Sequence, residues 1–296
     1  MSASHRSSLK LMLIGLLALL TVGCIIVNAQ DSPPANFKAT RHMTVAHGAG
    51  SAIKVTTGNG AVNIKKGDVS EVTIDAEIRA ISQERLDAAK IIADRAGGKL
   101  NIEVAWPDGK PMGNEGCRFD IVVPDAQGVE VRTTNGAVTI SGLGGEAIAR
   151  STNGMIKLVD HDGPAEVSST NGRIELENVS GKTTATTTNG AVSISGAKGA
   201  VHATSTNGAI EVRFASDSAG PVNASTTNGG IDVTIGRTFA GTLSASTTNG
   251  HIDIPEIANA RLVRVQKNSA TVAIGQSDEA SELRTTNGSI RVHAAQ

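Results

Sequence analysis

The triplet Thr-Asn-Gly recurs eight times in this chain, and its spacing constrains the fold more than any other feature. The Asn-Gly pairs are Asn135-Gly136, Asn153-Gly154, Asn171-Gly172, Asn189-Gly190, Asn207-Gly208, Asn228-Gly229, Asn249-Gly250 and Asn287-Gly288. The first five Asn residues lie 18 apart and the next two steps are 21. A degenerate copy, Asn268-Ser269-Ala270, falls in the wide gap before Asn287. A fixed period of about 20 residues marks a chain built from stacked repeats.

The residues around each Asn predict two strands. Three and five positions after it the side chains are apolar, as at Ile174 and Leu176, with a polar residue such as Glu175 between. That is the period of a strand with one buried face. Four positions before the Asn stands Val, Ala or Leu, and two before only Ser or Thr, so one interior layer is thin. Each repeat reads as strand, Asn-Gly corner, strand and Gly-containing loop. Gly at the corner is expected to supply positive φ, which Asn also tolerates. Asn-Gly also favours hairpins, so a meander is the rival reading. The spacing favours a solenoid, where the Asn amides form a ladder from coil to coil. Shifted by one residue, the degenerate copy places Val265, Val272 and Ile274 in buried slots.

The expected architecture is all-β: a β-solenoid, parallel β-helix-like, with 18–21-residue coils and a small N-terminal strand and helix cap. Low aromatic content agrees, with no Tyr, one Trp and four Phe; thin coils are filled by Val, Ile, Ala and Thr.

The N-terminus reads as an export signal. His5, Arg6 and Lys10 precede an apolar run from Leu11 to Val22. Cleavage after Ala29 is the first expectation. Cys24 is the alternative, as a lipidated membrane anchor, though Thr21 departs from the usual lipobox Leu. Residues 1–29 are thus signal peptide, 30–36 linker, 37–124 a β-rich cap with one helix, and 125–296 the repeat domain. Within the cap, Ser82 to Ala96 is expected to be helical, with Ser82 as N-cap, Leu86, Ala89 and Ala93 on one face, and Gly97-Gly98 as the stop. The early Gly58-Asn59-Gly60 is an outlying corner.

Formal net charge is −1 for the whole chain and nearer −3 without Arg6 and Lys10, so no basic footprint for nucleic acid is present. After cleavage Cys117 is the single thiol, read as a small buried residue.

Chemistry-bearing clusters are few. Asp160-His161-Asp162 could hold a metal or move protons, but it falls in an inter-coil loop. Glu175, Glu211, Asp232 and Asp253 share one outer column, and paired carboxylates serve glycoside hydrolysis at the right separation. That column also holds Thr139, Lys157, Ser193 and Arg291, as a solvated face would. Thr columns such as Thr186-Thr187-Thr188 suggest an ice- or polymer-binding array, interrupted by Arg132, Arg150 and Arg284. No catalytic, cofactor or metal site is assigned.

The early strand ending Gly58-Asn59-Gly60, the Ile121-Val122-Val123-Pro124 strand end and the run of Thr/Ser-x-Gly-x-Ile-x-Val units resemble a bacterial adhesin-like β-strand-repeat family, domain of unknown function 4097. The resemblance spans residues 40–296 and implies a β-helical envelope or surface protein without established catalytic residues. The expected role is non-enzymatic binding of an envelope protein or polymer. A periplasmic scaffold, self-associating end to end through an uncapped C-terminal coil at Ser289 to Gln296, is the alternative.

Overall fold

The computed structural model describes residues 34–255, 257 and 260–295. The signal segment, Cys24 and the start of the linker lie outside them.

Two long sheets enclose one continuous core. The strand before each corner enters a 13-stranded sheet and the strand after it enters a 12-stranded sheet. We call them the pre-corner and post-corner sheets. Equivalent strands of neighbouring coils run parallel and in register: Ile156 pairs with Ile174, Ile174 with Val192 and Val192 with Ile210. A meander would pair them antiparallel, so the chain is a β-solenoid. Between the sheets lie the predicted apolar columns, including Ile174, Leu176, Ala185 and Val192.

The coils do not stack in chain order at either end. The C-terminal coil is threaded into the stack. Its strand Ala280–Asn287 pairs with Val222–Asn228 on one side and Gly241–Thr247 on the other. Its second strand, Ile290–Ala294, likewise lies between Ile231–Ile235 and Ile252–Asp253. Both edges of this coil are therefore paired, and it offers no open end. The expectation of an uncapped C-terminal coil is corrected accordingly. The degenerate copy is corrected too. Asn268 sits at the turn of an antiparallel hairpin formed by Ala260–Gln266 and Ser269–Ile274. Val272 and Ile274 are buried, but Val265 is 63% exposed.

At the N-terminal end, residues 37–124 supply more than a cap. Ala52–Thr56 and Val62–Lys66 form a coil directly beside that of Asn135. Lys99–Ala105 and Gly116–Val123 form the next coil outward. Phe37–Ala46 and Glu71–Ala80 extend the post-corner sheet in antiparallel fashion, and Lys90–Ala96 extends the pre-corner sheet. The helix is shorter than the sequence predicts, Gln83–Ala88. Ser82 caps it, its Oγ accepting from the Arg85 amide at 3.2 Å, and Leu86 and Ala89 are buried. Ala93 instead lies in a strand paired with Ile102. Ile91 and Ile92 favour a pleated surface, and a sheet edge was available to them. Gly97 and Gly98, at φ 59 and 77, make the two-residue hairpin turn that follows.

This end is locked by a buried ion pair. Glu115 has a fully buried side chain, and its carboxylate accepts from Arg85 Nε and Nη2, both at 2.8 Å. It also accepts from the Met112 and Ile81 amides at 2.9 and 3.2 Å. Burial alone would raise the Glu115 pKa. The bonds from Arg85, Met112 and Ile81 outweigh it and hold the carboxyl below its ordinary value. Helix, loop 107–116 and first coil are thereby tied together.

Candidate functional surface: corner ladders and outer faces

The corners stack into three ladders. Outermost are the Asn side chains, each Nδ2 donating to the Oδ1 of the Asn in the adjoining coil. The bonds measure 2.6 Å from Asn153 to Asn135 and 2.7 Å from Asn189 to Asn171 and from Asn207 to Asn189. The ladder follows the stack and not the chain: Asn249 donates to Asn287 and Asn287 to Asn228, each at 2.8 Å. It reaches the N-terminal end through Asn135, which donates to Asn59, and Asn59, which donates to the Glu115 carbonyl.

Asn249, at the C-terminal end of this ladder, has one amide neighbour where Asn189 and Asn287 have two. Replacing Asn189 or Asn287 with Ala should each cost about 1 kcal/mol, and Asn249 less, since exposed bonds contribute modestly. Chemical denaturation of the three variants checks this, and equal losses would mark a purely local turn role.

Next inward lies a ladder that the sequence reading missed. Ser or Thr two residues before each Asn is buried and donates to the carbonyl of a corner Gly in the adjoining coil. Thr187 Oγ1 reaches Gly172 at 3.0 Å, Ser205 Oγ reaches Gly190 at 2.9 Å and Thr285 Oγ1 reaches Gly229 at 2.8 Å. A buried hydroxyl must find such a partner. The signal was present in the sequence: this inward-facing slot holds only hydroxyl residues.

The innermost contact explains the glycines. None of the eight predicted corner glycines adopts positive φ, contrary to the expectation from turn chemistry. Close approach replaces it. A Cβ on Gly190 would lie 2.1 Å from the Gly172 carbonyl oxygen, and one on Gly208 would lie 1.9 Å from that of Gly190.

The three side chains of Asp160-His161-Asp162 diverge, each engaged with a neighbouring coil. Asp160 accepts from Asn178 and Asp162 from Ser180, each at 2.7 Å and one coil away. His161 points inward, paired in register with Val179. Its Nε2 lies 2.8 Å from the Gly145 carbonyl oxygen, while Nδ1 is buried without a partner. Burial pushes its pKa below the ordinary value, against the opposing pull of the Gly145 contact. Above about pH 6.5 both folded and unfolded chains hold it neutral. As pH falls through that value the unfolded chain gains the proton first, so stability is lost. His161→Val should therefore flatten the decline in stability between neutral and mildly acidic pH, by up to about 1.4 kcal/mol per pH unit. Denaturation midpoints across that range test this.

The outer columns are also visible. On the post-corner sheet, Thr139, Lys157, Glu175, Ser193, Glu211, Asp232, Arg291 and Asp253 follow one another. The threaded coil thus places Arg291 between Asp232 and Asp253, which chain order would make neighbours. Lys157 bonds Glu177 at 2.8 Å, Arg213 pairs with Glu211, and His293 lies 3.5 Å from Asp232. On the pre-corner sheet Arg132, Arg150, Ser168, Thr186, Thr204, Ser225, Arg284 and Ser246 form the matching column. Its hydroxyl stretch is four rungs long between arginines. Arg132, Arg150 and Arg284 pair with Glu130, Glu166 and Glu282. Cys117 is buried, its thiol pushed up to about 12 by burial and by the nearby Glu77 charge. Among the described residues no group of three or more His, Cys, Asp or Glu is placed to hold a metal ion.

Among proteins of curated function none matches the chain. Solved structures similar to it include a "putative adhesin" from Bacteroides fragilis NCTC 9343, 12% identical, covering 88% of this chain and 99% of its own, with TM-score 0.49. A "putative lipid binding protein" from Parabacteroides distasonis ATCC 8503 is 12% identical over 88% of this chain and 98% of its own, with TM-score 0.45. A "putative adhesin" from Parabacteroides merdae ATCC 43184 is 10% identical over 88% and 97%, with TM-score 0.43. The model of the Toastrack DUF4097 family matches residues 50–293, most of the solenoid from its first corner to its last strand, and the chain belongs to that family.

Proposed function

We propose that this chain is an exported, non-enzymatic envelope or cell-surface protein that binds, adhesin-like, through its outer faces and inter-coil loops. The observation that carries the reading is the regularity of the outer columns. Their charged side chains pair along the faces and do not gather around one concavity, as an active site would require. A stacked rod presents extended repetitive surfaces, which suit a polymer or another envelope protein. The net charge leaves nucleic acid an unfavourable partner.

The basic and apolar N-terminus supports export. Cleavage after Ala29 gives a free protein, whereas lipidation at Cys24 gives a membrane-anchored one. Fractionation of the native host, protease shaving of intact cells and mass analysis of the mature N-terminus test the whole reading. Cleavage of the chain on intact cells, with a processed N-terminus, is the expected result. An unprocessed chain in the cytoplasmic fraction would overturn it.

A further inference from the structure

The two sheets end unevenly at the C-terminal end of the stack. The last shared coil supplies Gly241–Thr247 to the pre-corner sheet and Ile252–Asp253 to the post-corner sheet. Beyond it the pre-corner sheet continues for two more strands, Ser269–Ile274 and Ala260–Gln266, while the post-corner sheet stops. Among the described residues no post-corner strand faces those two strands, which leaves a two-strand step.

The outer strand of that step is built to be covered. A bulge at Val263 resets its alternation, because Leu262 pairs with Val272 and Arg264 with Thr271. Leu262 and Val265 therefore share the inner side with buried Val272 and Ala270, while Arg261 and Arg264 share the outer side. Yet Leu262 is 66% exposed, Val263 55% and Val265 63%. Among the described residues these three are half of the large apolar side chains exposed in this way. A cavity of about 500 Å³ opens at the base, lined by Ile254, Pro255, Ile257 and Leu262. Long apolar edge strands are normally blunted or paired.

We propose that a second copy of this chain fills the step, giving a two-fold dimer through the C-terminal ends. A two-fold axis running along the strands, midway between the sheets, exchanges the pre-corner and post-corner planes. The overhanging hairpin of each copy then occupies the two-strand gap of the other, its apolar inner side facing that of its mate. The outer strand of one copy comes beside Ile252–Asp253 of the other. Charges match at that seam: the outer face of the overhanging strand carries Arg261 and Arg264, and that of the last post-corner strand carries Asp253. Among the described residues none of these three forms an ion pair within its own chain. The contact is isologous and closes after two copies. It is independent of the proposed binding role.

Sedimentation of the full exported chain over a concentration series tests the dimer. The wild-type chain should sediment as a dimer. Leu262→Asp should raise the dissociation constant at least tenfold while the separated copies keep the wild-type β-sheet circular dichroism spectrum, because the residue is exposed within one copy. Asp253→Arg should weaken the dimer, and Asp253→Arg combined with Arg264→Asp should restore it. A wild-type monomer at every concentration would overturn the proposal, whether another partner or another part of the chain covers the step. So would a dimer insensitive to Leu262→Asp.

Discussion

Gly190→Ala should destabilise the solenoid by about 3–5 kcal/mol, at the upper end of single-residue effects. The added methyl would meet the Gly172 carbonyl oxygen at 2.1 Å and the carbonyl carbon at 2.6 Å. Both are backbone atoms held by parallel pairing on either side, so the coils would have to separate locally. Separation would also stretch the Thr187 bond to Gly172 and the Asn189 bond to Asn171. Gly97→Ala is the control. Gly97 has a positive φ of 59 but nothing within 4 Å of an added Cβ, so the cost there is backbone strain alone, about 1–2 kcal/mol. Denaturant titration of both variants separates close approach from turn conformation. Equal losses would mean that the neighbouring coil yields to the added methyl and that close approach is not what requires glycine at the corners.

Glu115→Ala carries the second large effect, about 3–5 kcal/mol, the cost of breaking a buried pair by removing one partner. The substitution strands the Arg85 guanidinium and leaves the Ile81 and Met112 amides without their acceptor. Asp108 remains beside Arg85 but is exposed and cannot replace the buried carboxylate. The loss should fall on the N-terminal end of the stack, because each coil of a solenoid contacts only its neighbours. Hydrogen exchange read residue by residue should show deprotection around 80–120 and little change near 200. The carboxyl is held below its ordinary value, so its contribution is present above that value and fades as pH falls through the folded one. The difference between wild type and variant should accordingly narrow in acid.

Much of the fold is legible in the sequence because one geometric constraint is repeated. An 18-residue step that returns Asn, Gly and two apolar residues to the same slots leaves parallel stacking as the consistent solution. What the repeat conceals is the order of its coils. Every coil offers the same edge to its neighbours, so nothing in the triplets distinguishes Asn249 from Asn287 as a partner for Asn228. The hairpin between Ala260 and Ile274 takes the outer edge of Gly241–Thr247, and its alternation is broken by the bulge at Val263. Val265 keeps the inward side that the repeat predicts, beside buried Ala270, but no described post-corner strand covers it and it stays exposed. The short helix fails for a related reason. Residues 90–96 satisfy a helical spacing, but a waiting strand edge at Lys99–Ala105 captures them.

The surface was less legible than the core. A column of outer residues can be read only once the stacking order is known. The apparent neighbours Asp232 and Asp253 are separated by Arg291 because of the threaded coil. The buried hydroxyls were legible in principle, since restriction to Ser and Thr at an inward slot demands a bonding partner. The acceptor, a glycine carbonyl one coil away, belongs to the stack and not to the repeat.

The threaded C-terminal coil underlies the order of the ladders, the mixing of charges on the outer face and the step at the end. Thiol cross-linking tests it most directly. Cysteine pairs at Asp232 and Arg291, and separately at Asp232 and Asp253, would be made with Cys117→Ala as background. Adjacent strands place facing residues about 4.8 Å apart and alternate strands about twice that, beyond the reach of a disulfide. Rapid oxidation of the 232–291 pair and none of the 232–253 pair is the predicted result. A disulfide between 232 and 253, with 232–291 unreactive, would mean that the coils stack in chain order and would contradict the account.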